Sequence, residues 1–275
     1  MFSARVGAQH IRMALCGPGV SKVRRMNAKY TDPAFLYRLF DSDPAPIPDF
    51  LSWLRVRYGI RDAPTVLDVG CGPGRLLPAM HQLGWRPIGM EPDNAYRSSA
   101  LEAVRALDVE VWPGGFNDLE ADSQFDMVLG INGSFAHVLS ASGRADALRR
   151  CRRSLRVGGV LVLDLPNLLR ILHEYRVPAE RVASTDGATV RLTRRHAIDY
   201  AAATFTTHET YSIEELSGAS YKVEKEHQYA ITTWPDLEYL FSQAGLSQIE
   251  TFSTMADRDP WPPSEQRLVI AARAT

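Results

Sequence analysis

Nine residues constrain this chain more than any others: Val66-Leu67-Asp68-Val69-Gly70-Cys71-Gly72-Pro73-Gly74. The apolar run Thr65-Val66-Leu67-Asp68-Val69 reads as a fully buried strand, and Leu76 to Leu83, closed by Gly84, reads as a helix. Three glycines at alternate positions lie between them and strip one side of the turn of side chains. A ligand can then rest directly on backbone N–H groups at the start of the helix.

The spacing narrows the ligand. A dinucleotide fingerprint needs G-x-G-x-x-G, with its third glycine where the helix packs on the strand. Counted from Gly70 that position is Arg75, and the third glycine falls at Gly74. G-x-G-x-G disfavours a nicotinamide dinucleotide, and Asp68 would repel a pyrophosphate. A carboxylate there suits a ligand that carries a cation, such as an ammonium group. Glu91 ends the next strand, Arg86 to Met90, just before Pro92. There it can accept two hydrogen bonds from a ribose diol, or it can simply cap a helix.

The surrounding chain alternates short apolar runs with helical patterns, the signature of βαβ units on a parallel sheet. Asp32-Pro33 starts a helix with Phe35, Leu36, Leu39 and Phe40 on one face. Asp43 to Pro48 reads as a stiff connector, and a second helix follows with Phe50, Leu51, Leu54 and Val56 as its buried candidates. Tyr96 to Leu107 is a helix, Val109 to Trp112 a third strand of the sheet and Phe125 to Ile131 a fourth. A helix over Ala145 to Leu155 precedes the fifth strand, Val160 to Leu163. The arginines Arg149, Arg150, Arg152, Arg153 and Arg156 lie largely away from its apolar stripe and read as a solvated face rather than a nucleic-acid surface. Residues 189–231 instead alternate with period two: Val190, Leu192, Ile198 and Tyr200, then Phe205, Tyr211 and Ile213, then Tyr221, Val223, Tyr229 and Ile231. This predicts a small antiparallel sheet. Thr233 and Pro235 open a last helix, and strands near Ile249 to Phe252 and Leu268 to Ala271 close the fold.

Composition sets the outer limits. Of 275 residues, 45% are hydrophobic and 23% charged, which excludes a disordered chain. Thirty-one Lys and Arg against 32 Asp and Glu give a net charge of −1, with no global field to gather nucleic acid or anionic lipid. No 18-residue apolar run predicts a membrane span. Cys16, Cys71 and Cys151 are too scattered for a disulfide framework or a metal-ligand pair, so a reducing, cytoplasmic setting and no metal are expected. Before Asp32 every charged residue is cationic, a pattern similar to organellar transit peptides. Gly17-Pro18-Gly19 breaks any helix there. Residues 1–31 are therefore read as an extension, either a floppy tail or a stretch upstream of a natural start at Met26, with folding over an anionic ligand a minor alternative.

Asp68 to Gly74 together with Glu91 resembles the class I S-adenosylmethionine-dependent methyltransferases of the small-molecule type, over roughly residues 32–275. The resemblance implies an α/β, Rossmann-like seven-stranded sheet of order 3-2-1-4-5-7-6 with its last strand antiparallel. It also implies S-adenosyl-L-methionine as cofactor. Asp68, Gly70, Cys71, Gly72 and Gly74 would hold the methionine end, Glu91 and Pro92 the ribose, and Gly115, Phe116, Asn117 and Ile131 the adenine surroundings. Many family members carry an aspartate where this chain has Gly115. Residues 32–167 and 232–275 would form the methyltransferase domain, and residues 168–231 an inserted antiparallel lid.

Ile131-Asn132-Gly133-Ser134-Phe135-Ala136-His137 follows the fourth strand and borders the cofactor crevice. It is similar to the N-S-F-A-H stretch of glycine and glycine/sarcosine N-methyltransferases, except that Gly133 stands at the asparagine position and the amide is at Asn132. Asn132 and His137 are the candidate catalytic residues. His137 orients or deprotonates an acceptor, or it is structural. Tyr200, His208, Glu209, Tyr211, His227 and Tyr229 are further candidates for an acceptor pocket. The expected activity is methyl transfer to nitrogen or oxygen of a small metabolite: a sugar, an amino-acid derivative or a secondary metabolite. The alternative is a non-catalytic cofactor sensor or inactive partner subunit. No nucleic-acid or membrane partner is expected, and a homodimer is among the assemblies left open.

Overall fold

The computed structural model describes residues 12–15, 27–40, 46–174, 180–256, 258–260 and 267–275. β1 (Arg12–Leu15) precedes two short helices, α1 (Ala28–Thr31) and α2 (Pro33–Phe40). Helix α3 (Pro46–Arg57) leads into β2 (Thr65–Val69), α4 (Leu76–Gln82), β3 (Arg86–Glu91), α5 (Asn94–Ala103) and β4 (Glu110–Pro113). Next come β5 (Phe125–Gly130), α6 (Ala141–Ser154), β6 (Leu155–Pro166) and α7 (Leu168–Glu174). Four further strands follow: β7 (Glu180–Ser184), β8 (Ala188–Asp199), β9 (Thr204–Glu215) and β10 (Ser220–Ala230). The chain ends with α8 (Trp234–Gln243), β11 (Leu246–Phe252) and β12 (Arg267–Ala274). These elements divide between two units, one of Ser42–Tyr175 with Ala230–Thr275, the other of Met1–Asp41 with Arg176–Tyr229.

The larger unit is a seven-stranded sheet in the order β4-β3-β2-β5-β6-β12-β11. Numbered along the chain, that is the expected order 3-2-1-4-5-7-6. Strands β2 to β6 run parallel, and β12 runs antiparallel to both β6 and β11. β2 and β5 are mostly apolar and, but for Thr65, buried on both faces, as suits central strands of a sheet covered on two sides. The core gathers Leu77 and Met80 of α4, Ala100 of α5 and Phe50, Leu51 and Leu54 of α3 around Val66, Met127, Leu129 and Val162. Val56 corrects the expectation for α3, since it is 66% exposed. Two residues beyond Leu54 it is turned about 200° from the buried stripe, which Tyr58 continues. The proline-rich connector is also shorter than expected. Pro46 and Pro48 already belong to α3, whose unpaired first-turn N–H groups tolerate proline.

The smaller unit is an antiparallel sheet in the order β1-β10-β9-β8-β7. The period-two stretches became β8, β9 and β10, and β7 and β1 extend the sheet at either edge. Register pairs Val190 with Ile213 and Leu192 with Tyr211. Together with Tyr221 and Val223 these pack against Tyr30, Leu36 and Phe40. Asp32 caps α2 by accepting the N–H groups of Ala34 (3.0 Å) and Phe35 (3.2 Å). Tyr200 departs from the expected alternation: β8 ends at Asp199, and Tyr200 sits 87% exposed in the following turn. The residues expected to form an extension lie outside those described, apart from β1, α1 and Asn27.

Candidate active site

The glycine turn is built by what surrounds it. Gly70 and Cys71 both donate their N–H to the Met90 carbonyl at the end of β3, at 2.7 and 3.1 Å. Gly70 adopts φ +73°, and a Cβ there would lie 2.5 Å from Cβ of Ser134. Only glycine fits that contact. Ser134 returns the link by donating its hydroxyl to the Val69 carbonyl at 2.9 Å. Gly72 differs: φ is +57°, yet a Cβ would meet nothing within 4 Å. Its bare side faces open space.

Two carboxylates flank this turn. Glu91 is buried and accepts the N–H of Gly72 through Oε2 and that of Asp93 through Oε1, each at 2.9 Å. Burial raises its carboxyl, and the two N–H donors act against the shift. Arg97 donates Nη1 to the Glu91 carbonyl at 2.9 Å, and Asp93 caps α5 through the N–H groups of Ala95 and Tyr96. Asp68, 2% exposed, ends one strand over. Burial, and then the charge of Glu91, push its carboxyl up to about 7. Cys71 sits beside the pair; burial first, then Asp68 and Glu91, push its thiol up, which leaves it a protonated packing group rather than a nucleophile. Two neighbouring buried carboxylates at an open glycine turn form a site that a positively charged ligand would relieve.

The segment after β4 forms a short 3-10 turn over Phe116–Asp118. Gly115 donates its N–H to Asp118 Oδ2 at 2.9 Å, and its open side lies 3.9 Å from the Pro92 ring. Phe116 is buried edge-on to Phe135, centroids 5.2 Å apart, and Asn117 gives its amide to the Gly143 carbonyl at 2.9 Å. Ile131 is buried at the end of β5. Asn132 (φ +60°) and Gly133 (φ +85°) then turn the chain into a second 3-10 turn, Ser134–His137. Asn132 and His137 are both exposed.

Sequence reasoning missed what holds this turn. Asp164, buried near the end of β6, accepts the Asn132 N–H through Oδ2 at 3.0 Å, while its carbonyl accepts the Gly133 N–H at 2.8 Å. Arg267 of β12 donates Nε to Asp164 Oδ1 at 2.8 Å and pairs through Nη2 with Oδ2. The one available signal was an acid at the end of a buried apolar run, Leu161 to Leu165. The arginines of α6 behave as a solvated face: Arg150 and Arg149 pair with Asp146 and Arg153 with Asp122, while Arg156, already on β6, pairs with Asp126. No helix among the described residues is long and apolar enough to cross a membrane.

Residues 66–159, which span the glycine turn and Glu91, match the family model of a methyltransferase domain. The chain is 30% identical over 128 residues to the cypemycin N-terminal methyltransferase of a Streptomyces species, covering 46% of this chain and 52% of that protein. The matched part thus spans about half the length of that curated relative. A solved S-adenosylmethionine-dependent methyltransferase from Clostridium acetobutylicum superposes with a TM-score of 0.75 at 14% identity, covering 89% of this chain and 98% of that one. The sugar N-methyltransferase KedS8 from Streptoalloteichus superposes with a TM-score of 0.72 at 21% identity, covering 95% and 98%. The similarity in sequence to methyltransferases is thus carried by residues 66–159. The sheet that carries them has the Rossmann-like fold of those solved structures.

Proposed function

We propose that the chain is an enzyme that transfers a methyl group from S-adenosylmethionine to nitrogen or oxygen of a small metabolite, with nitrogen favoured. The observation that carries this reading is the pair of buried carboxylates, Asp68 and Glu91, beside the open face of Gly72. The turn fits the cofactor: space for it lies against Gly72, and the acids match its ammonium and ribose groups. In this reading Asp68 holds the ammonium end and Glu91 the ribose hydroxyls. The backbone of Gly70, Cys71, Gly72 and Gly74 lines the methionine moiety, Pro92 lies beside the ribose, and Gly115, Phe116, Asn117 and Ile131 border the adenine. When bound, the cofactor supplies an electrophilic methyl on a sulfonium, a good leaving group.

The protein's remaining task is positioning, since a well-oriented reaction gains effective molarities of roughly 10⁵–10⁸ M. Asn132 and His137 follow the fourth parallel strand, at the carboxyl edge where such sheets bind ligands. Asn132 would orient the acceptor, and His137 would take its proton when the nucleophile is a hydroxyl or an ammonium. The names of two similar proteins, an N-terminal methyltransferase and a sugar N-methyltransferase, favour an amine on a sugar or an amino-acid derivative.

The test is incubation with methyl-labelled S-adenosylmethionine and a panel of amino sugars, nucleotide-linked amino sugars, amino acids, short peptides and hydroxylated analogues. Labelled product on one class supports the proposal and names the acceptor. Calorimetric binding of S-adenosylmethionine with no product across the panel and broad metabolite extracts would favour the non-catalytic binder. Absence of binding would overturn both.

A further inference from the structure

The inward face of the antiparallel sheet changes character along its length. At one end Val190, Leu192, Tyr211, Ile213, Tyr221 and Val223 build an apolar core. Beyond it the same alternating positions become polar: Arg194 and His196 on β8, Thr207 and Glu209 on β9, Lys225 and His227 on β10. Glu209 organises them. Its Oε1 accepts Arg194 Nε at 2.8 Å, and its Oε2 accepts the Tyr211 hydroxyl at 2.6 Å and lies 3.5 Å from His227 Nε2. Burial alone would raise the Glu209 carboxyl; His227, Arg194 and Tyr211 outweigh it and hold the group well below the ordinary carboxylate range.

Lys225 and Arg194 both stand at inward positions of these strands. Lys225, 3% exposed, donates to the Pro33 carbonyl at 2.8 Å and lies over the Tyr211 ring. Arg194 is only partly used. Among the described residues its one polar contact is through Nε, so Nη1 and Nη2 have no partner, and its side chain is 33% exposed. A guanidinium steered by a buried carboxylate, with its remaining donors open to solvent, matches the planar oxygens of an anion. His196 is close enough that burial, and then the Arg194 charge, lower its pKa.

We propose that Arg194, oriented by Glu209, forms an oxyanion site on the inward face of the antiparallel sheet and takes the phosphoryl or carboxylate group of a small ligand. The site stands independently of the methyltransferase reading and is tested without S-adenosylmethionine.

The experiment is calorimetric titration of the full chain, at constant ionic strength, with inorganic pyrophosphate and separately with succinate. Millimolar or tighter binding of at least one probe is expected, and the stronger of the two identifies the anion class. Arg194→Gln should weaken it at least tenfold. Arg191→Gln, on the opposite face of the same strand where Arg191 pairs with Glu180, should leave it within twofold. Arg194→Lys keeps the charge beside Glu209 but loses the fork, and should also weaken binding several-fold if Arg194→Gln fails to fold. No binding of either probe, or equal binding by the Arg194 and Arg191 variants, overturns the proposal.

Discussion

Arg267 grips the carboxylate of Asp164, and that same carboxylate takes the N–H of Asn132 at 3.0 Å, although Asp164 and Arg267 stand 103 positions apart. A positive φ is unfavourable for asparagine outside such support, so the clamp supplies the contact that keeps the loop after β5 turned. Arg267→Met should cost about 1–3 kcal/mol of stability, below the roughly 3–5 kcal/mol of a fully buried pair because Arg267 keeps part of its surface in water. Methyl transfer should fall while S-adenosylmethionine affinity stays within twofold. Denaturant melts and calorimetry check both. Unchanged turnover would detach the clamp from the reaction.

Glu91→Ala removes the charged acceptor proposed for the ribose. S-adenosylmethionine affinity should drop by about 1.5–3 kcal/mol for each bond lost, or roughly ten- to 150-fold. Calorimetry showing unaltered affinity would remove Glu91 from that role.

Asp68 makes cofactor affinity depend on pH. With its carboxyl near 7 in the folded protein, lowering the pH through that value neutralises it before a cationic ligand arrives. Affinity should therefore fall toward acid, by at most about tenfold per pH unit, with proton release detected by titration in buffers of different ionisation enthalpy. In the free protein the sign is opposite to that of a salt-bridged acid. Between the ordinary value of 3.8 and about 7 the folded chain binds the extra proton, so this group's contribution to stability is full at the acid end and lost as pH rises. Asp68→Asn should flatten both slopes.

Gly70 and Gly72 should respond differently to alanine. Gly70→Ala drives a methyl group into Ser134 on a backbone that disfavours it, costing about 2–4 kcal/mol in thermal or urea melts. Gly72→Ala meets open space, so only the backbone term of roughly 1–2 kcal/mol applies. It should fold yet bind S-adenosylmethionine at least tenfold more weakly.

His137→Ala should leave cofactor affinity intact and lower turnover, by about 10²–10⁴-fold if the acceptor is a hydroxyl that needs a base. Full activity from about pH 6 to 9 would return His137 to a structural role.

The strands and the glycine turn were legible because they rest on local pattern: apolar runs such as Phe125 to Ile131, glycines at fixed spacing, and Asp32 and Thr233 as helix caps, whereas the strand order came with the family resemblance. Errors arose where the pattern was too short or the partner too distant. Val56 fits an apolar count but not the helical angle, and Tyr200 continues an alternation that the turn at residues 200–203 cuts off. The link between Asp164 and Arg267 depends on β12 lying beside β6, and no local spacing encodes that. The contact of Arg194 with Glu209 likewise emerges only once β8 and β9 are laid side by side.

Because β12 runs against its neighbour, it delivers Arg267 beside Pro166 and carries Thr275 back toward the opening residues of β6. An affinity tether or a fluorophore attached at residue 275 would accordingly sit on the rim of the sheet remote from the glycine turn, a convenient handle for immobilising the protein without crowding that turn.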